Sequence, residues 1–120
     1  MTIERVFADT NLFLRYLTND IPDQADRVEE ILQRATDGKI ILVTTTLVIA
    51  EIVWTLKSFY GLSREQIRDR ILAILNTPGL EVEESDLLIE AATNYAEKNV
   101  DFIDAYNVAW MVRQQIGIAY

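Results

Sequence analysis

The spacing of apolar and polar positions divides the chain into short strands and longer helices. Residues 3–8 form a run of strand formers, closing on Arg5-Val6-Phe7-Ala8, that leads straight into Asp9-Thr10-Asn11. A short, mostly buried helix is expected over residues 11–17, then a turn over residues 18–23 in which Pro22 or Asp23 opens the next helix. In that helix Ala25, Val28, Leu32 and Ala35 recur with helical spacing, and Asp37-Gly38 ends it. Residues 39–44 are apolar on both faces, as a covered parallel strand should be. Any of Thr44, Thr45 and Thr46 can cap the nearly all-apolar helix over about residues 46–59, which stops at Gly61.

The second half repeats the plan. Ser63 and Gln66 form a capping box, and Ile67, Ile71, Leu72 and Leu75 carry a helix to Asn76-Thr77-Pro78-Gly79. Residues 80–83 alternate like an edge strand. Ser85 or Asp86 is expected to cap a helix that packs through Leu87, Ala91, Tyr95 and Ala96 and breaks at Asn99. Residues 100–104 lead into a last helix with Ala105, Val108, Ala109, Val112 and Ile116 as its packing stripe. Strands alternating with helices predict an α/β fold: a single domain over residues 1–120 with three α/β/α layers and a mostly parallel central sheet. Ile118-Ala119-Tyr120 opens like a further strand, so the domain is expected to lack its native C-terminal strand and tail.

Composition narrows the chemistry. The 120 residues contain no cysteine and no histidine. Disulfides, thiolate metal sites, a cysteine nucleophile, His-ligated zinc and Ser-His-Asp hydrolysis are therefore outside the reach of these residues. The start is no signal peptide and no stretch is long and uncharged enough for a bilayer, so a cytoplasmic setting is expected, away from membranes. A net charge of -8 argues against whole-surface attraction to nucleic acid. It leaves room for a carboxylate site whose field a divalent cation would invert.

Four acids carry the candidate chemistry. Asp9 follows the first strand, where open α/β sheets bind ligands. Glu51 sits within an apolar helix, one turn beyond the threonine cap region. Asp101 and Asp104 are spaced to share a face in the first turn of the last helix. Each has an ordinary alternative: turn former or cap for Asp9 and Asp101, solvated position or helix-dipole partner for Glu51 and Asp104. Together, at points a parallel sheet can bring to one edge, they repel one another unless a hard oxygen-seeking cation such as Mg²⁺ or Mn²⁺ joins them. Thr10, Asn11, Thr45, Asn107, Arg15 and Lys57 are candidate helpers. The aromatics Tyr16, Trp54, Phe59, Tyr60 and Trp110 are expected first as core or oligomer contacts and second as stacking platforms for bases.

Three segments, Val6-Phe7-Ala8-Asp9-Thr10-Asn11, Thr45-Thr46-Leu47-Val48-Ile49-Ala50-Glu51 and Val100-Asp101-Phe102-Ile103-Asp104-Ala105, resemble in order and spacing the PIN-domain family, particularly its VapC-type toxin ribonucleases. The resemblance implies a small α/β/α nuclease that cuts RNA with Mg²⁺ or Mn²⁺. Asp9, Glu51 and Asp104 would be the metal-binding and catalytic acids, Asp101 an accessory acid of the same site, and Asn11 and Thr45 helpers. It also implies a homodimer silenced by a cognate antitoxin, whose basic segment would suit the acidic surface. The family's fourth acid, just after the final strand, has no counterpart before Tyr120. A non-catalytic PIN-like protein-binding module is the rival expectation. A receiver-like or phosphatase site ranks lower, because the first strand offers one acid and no phosphate-contacting lysine follows at a strand end.

Overall fold

The computed structural model describes residues 3–18 and 22–117. Strand β1 (Glu4–Phe7) leads to helices α1 (Thr10–Thr18) and α2 (Pro22–Thr36), strand β2 (Ile40–Thr44), helices α3 (Thr46–Ser58) and α4 (Arg64–Leu75), strand β3 (Leu80–Val82), and helices α5 (Ser85–Glu97) and α6 (Phe102–Gln114). The strands form one parallel sheet in the order β1-β2-β3. Flanked by the six helices, this sheet makes the expected three-layer α/β/α fold. The opening strand at residues 118–120 and the turn at residues 19–21 lie outside the described residues.

Register aligns the strand ends that matter for the site. Phe7 pairs with Val43, and Val43 with Glu81. Just beyond the ladder, the Ala8 N–H donates to the Val43 carbonyl at 2.8 Å, and the Thr44 hydroxyl donates to the Ala8 carbonyl at 2.8 Å. Thr44 is buried, so that bond satisfies a hydroxyl that could not reach water. It also fixes the backbone one residue before Asp9.

The core is centred on β2 and α3. Leu42, Ile49, Ile52 and Leu56 are fully buried and join Phe13, Ile67, Ile71, Leu88 and Tyr95 in one cluster. The central strand is apolar on both faces because helices cover both. Leu56→Ala would cost about 2–5 kcal/mol at such a position.

Thr45 caps α3, its hydroxyl accepting from the Val48 N–H at 3.3 Å. The capping box of α4 is complete, with both the Ser63 and Gln66 bonds formed. Arg64, at the start of α4, ties down the far end of α5. Its Nη1 donates to the carbonyls of Tyr95 at 2.9 Å and Val100 at 2.7 Å, and its guanidinium lies 4.3 Å from the centre of the Tyr95 ring.

Several packing expectations are corrected. In α6, Phe102, Ala105 and Ala109 are buried, whereas Val108 and Val112, and Ile116 just past its end, are exposed. The buried face is centred on Phe102, which seats edge-on to Tyr95 with ring centroids 6.2 Å apart, and that turns the valines away. Of the aromatics expected as core or oligomer contacts, Tyr16, Trp54, Phe59 and Trp110 are exposed, Trp54 by 67%, so these four are not core, whereas Tyr60 packs partly buried against the core. Helix α1 buries Thr10 and Phe13 only partly as expected, since Asn11, Arg15 and Tyr16 reach solvent. Neither Ser85 nor Asp86 caps α5; Glu84 occupies the cap position in the left-handed region (φ 56) without a side-chain bond.

Candidate active site

The site begins where β1 ends. Asp9 Oδ1 accepts the Leu12 N–H at 2.9 Å, so the carboxylate caps α1 and is held at the strand-to-helix corner. The ordinary reading of Asp9 as a cap is therefore realised, and it leaves Asp9 exposed with further acceptor capacity on its oxygens. The next residue makes the long-range connection. The buried Thr10 hydroxyl donates to Glu51 Oε2 at 2.9 Å across 41 positions of sequence. Glu51 is exposed on α3, and that bond orients it toward the corner that carries Asp9. The helix capped by Thr45 fixes Glu51 axially, with α3 and α1 packed together.

Asp101 and Asp104 stand on the other flank of α3. Asp101 occupies the N-cap position of α6, but its side chain makes no capping bond; only its carbonyl engages the helix, accepting from Ala105 N at 2.8 Å. Asp104 lies in the first turn. Both carboxylates line a cleft of about 350 Å³ between α3 and α6, with Trp54, Lys57 and Ser58 from α3 and Tyr95 from α5. Sharing one wall of that cleft is what the three-residue spacing predicted.

Tyr95 is the least ordinary member of the lining. It is 2% exposed, and its hydroxyl has no hydrogen-bond partner among the described residues. Burial pushes the phenol above its ordinary value; Arg64 opposes that and the Asp101 charge adds to it.

These residues fall into two groups on adjacent flanks of α3: Asp9, Thr10 and Glu51, and Asp101 and Asp104. Among the described residues no three acidic side chains stand close enough together to enclose a metal ion. The donor set suits a water-retaining Mg²⁺, which commonly takes one or two carboxylates and keeps much of its hydration shell. Asn11 is exposed next to Asp9, and Thr45 spends its hydroxyl on the α3 cap. Lys57 has no ion pair among the described residues, and Arg15 is exposed.

Sequence reasoning placed Thr10 among several helpers and Tyr95 among packing positions. The signal for Thr10 was its β-branched hydroxyl beside an acid at a strand end. Nothing in the sequence distinguished Tyr95 from its apolar neighbours; only the fold leaves its hydroxyl buried without a partner among the described residues.

Comparison with protein families finds the PIN domain, matched over residues 6–119. Neither curated proteins nor solved structures give a significant match. The matched span contains all four acids. PIN domains are generally metal-dependent nucleases. Among the described residues, no helix is long and apolar enough to cross a membrane.

Proposed function

The chain belongs to the PIN-domain family, and from that premise we propose that it is a Mg²⁺- or Mn²⁺-dependent endoribonuclease, the toxin of a toxin–antitoxin pair. The observation that carries the reading is the Thr10–Glu51 hydrogen bond, which joins the acid corner after β1 to the acid of α3. An exposed glutamate held by a buried threonine is oriented for a task that solvation alone would not require.

In this reading Asp9, Glu51 and Asp104 would hold the cation, through its retained waters where the carboxylates stand apart, and Asp101 would support it. A bound divalent cation supplies Lewis acidity toward the phosphoryl oxygens and lowers the pKa of water. The chain's own residues orient and select. Thr10 keeps Glu51 turned toward Asp9, while Lys57 and Arg15 offer cationic contacts to backbone phosphates. With no histidine or cysteine in the sequence, neither an imidazole base nor a thiolate nucleophile takes part.

Partners follow from the surface. A net charge of -8 complements a basic antitoxin segment. Exposed Leu47 and Trp54 on α3, and Val108 and Val112 on α6, are the apolar positions through which a second copy would pack as a homodimer.

The test is cleavage of a single-stranded RNA with Mg²⁺ or Mn²⁺ by the full chain and by Asp9→Asn and Glu51→Gln. The nuclease reading expects metal-dependent cleavage that falls by about 100-fold or more in each variant, as for loss of a group that acts on the transition state. Cleavage that persists unchanged in both variants would falsify it. The open spacing of the acids favours a second reading, a non-catalytic PIN-like module that binds a protein. Absence of cleavage in both metals, with stable partner binding, would support that instead.

A further inference from the structure

Asp101 and Asp104 have no anchor of their own. The Asp101 side chain makes no capping bond to α6, and neither carboxylate has an ion pair among the described residues. Their helix packs chiefly on α5 and only lightly on α3, the helix that carries Glu51. Where the two acids stand relative to Glu51 is therefore set by the short link over residues 98–101 and by the seat of Phe102.

One side chain holds both. The link leaves α5 at Asn99, whose φ of 51 takes the chain out of helical geometry. Tyr95 lies in the last turn of α5, where carbonyls run out of helical partners. Arg64 supplies one from α4. Its Nη1 donates to the Tyr95 carbonyl at 2.9 Å and to the Val100 carbonyl at 2.7 Å, and Val100 directly precedes Asp101. The same guanidinium lies 4.3 Å from the centre of the Tyr95 ring, and Phe102, directly after Asp101, packs edge-on to that ring. Arg64 thus reaches Asp101 by two routes, one along the backbone and one from ring to ring. It makes no ion pair among the described residues, so no carboxylate competes for it. It does not line the cleft itself, and α4 packs against both α3 and α5, which puts the clamp in the same frame as Glu51.

We propose that Arg64 is a positioning residue for the Asp101–Asp104 pair: by clamping the link between α5 and α6 it sets how far those carboxylates stand from Glu51. The use of that distance, the sharing of one divalent cation, rests on the nuclease reading. The clamp rests on the contacts alone. A cation at the carbonyl end of a helix is favourable in any protein. Coupling to one half of an acid site is what a merely stabilising arginine would lack.

The test is a pair of double-mutant cycles on Mn²⁺ affinity in the full chain, joined to hydrogen exchange without metal. Arg64→Met keeps a long stem and removes every donor. Alone, it should weaken Mn²⁺ binding about tenfold, the usual effect of losing a group that orients a ligand. In an Asp9→Asn background the same tenfold loss should persist. In an Asp104→Asn background it should shrink to about twofold or less, because the acid being positioned is gone. Without metal, exchange should quicken over residues 99–105 and stay unchanged in α3. Arg64→Lys, which keeps a donor cation, should show a milder loss with the same dependence on background, and it carries the comparison if Arg64→Met does not fold. Unchanged Mn²⁺ affinity, an equal loss in both backgrounds, or exchange that quickens as much in α3 as over residues 99–105 would overturn the positioning role and leave the nuclease reading intact. A wild type that binds no Mn²⁺ would contradict the nuclease reading instead, and exchange over residues 99–105 would then decide the clamp by itself.

Discussion

Thr10 and Glu51, 41 residues apart, are joined by a 2.9 Å hydrogen bond between a buried hydroxyl and an exposed carboxylate. The buried partner fixes the exposed one. Thr10→Val keeps the branched shape and the packing but removes the donor. The expected result is a fall in RNA cleavage of about 10- to 100-fold, the usual cost of losing a group that orients a ligand. Stability should change by only about 1 kcal/mol or less, because the freed carboxylate remains hydrated. Thr10→Ser should restore most of the activity. Kinetics and denaturant unfolding of both variants check this; equal activity in Thr10→Val would show that the orientation has no role.

Tyr95→Phe should leave the fold at least as stable as the wild type and raise its stability by about 1 kcal/mol, since a buried hydroxyl without a partner is removed and the ring contacts stay. A loss of stability in urea unfolding would show that the hydroxyl is satisfied in solution.

Gly79, just before β3, packs directly against the backbone at the end of α2. It adopts φ +79, and an added Cβ would lie 2.3 Å from the Ala35 carbonyl oxygen at the end of α2. Its own carbonyl accepts the Leu42 N–H at 2.9 Å, so the segment cannot simply move away. Gly79→Ala should cost about 2–4 kcal/mol through combined strain and clash. Gly61→Ala, with open space around the position, should cost less. Thermal unfolding of the two variants side by side gives the comparison.

Arg113 bridges Asp86 and Glu84, the latter at 3.1 Å, and so ties the end of α6 to the start of α5. The hydrogen bond from Arg113 holds the Asp86 carboxyl below its ordinary value. A carboxyl depressed in the folded state stabilises the fold above its unfolded pKa, and that contribution is lost as pH falls through the folded pKa. Wild type should therefore melt above Asp86→Asn at neutral pH, and the gap should close on acidification below about pH 4. Both groups are exposed, so about 1 M salt should also narrow the gap. A gap independent of pH and salt would place the effect in packing instead.

Local signals in the sequence were sufficient for the elements and most of their ends. The capping box at Ser63, the stop at Gly38 and the doubly apolar β2 each follow from one residue type meeting one backbone demand. The alternation of strands and helices was legible from the periodicity, but the four acids, expected at one sheet edge, fall into two groups, Asp9 with Glu51 and Asp101 with Asp104. Less legible was which apolar face of a helix would be buried. Val108 and Val112 have the spacing of a packing stripe, yet the bulk of Phe102 against Tyr95 decides how α6 turns. The cap of α5 failed for a similar reason: Asp86, one of the two expected caps with Ser85, instead engages Arg113 from another helix. Local chemistry cannot anticipate a partner 27 residues away. The Thr10–Glu51 bond and the orphan hydroxyl of Tyr95 belong to the same class, visible only once the chain is folded.

The central claim is that acids on two flanks of α3 serve one divalent cation. Mn²⁺ binding, followed by electron paramagnetic resonance of the free ion, tests it most directly in the full chain and in Asp9→Asn, Glu51→Gln and Asp104→Asn. The account predicts saturable binding in the wild type and about tenfold or greater weakening in each single variant, with thermal stability retained. Unchanged Mn²⁺ affinity in all three variants would contradict it.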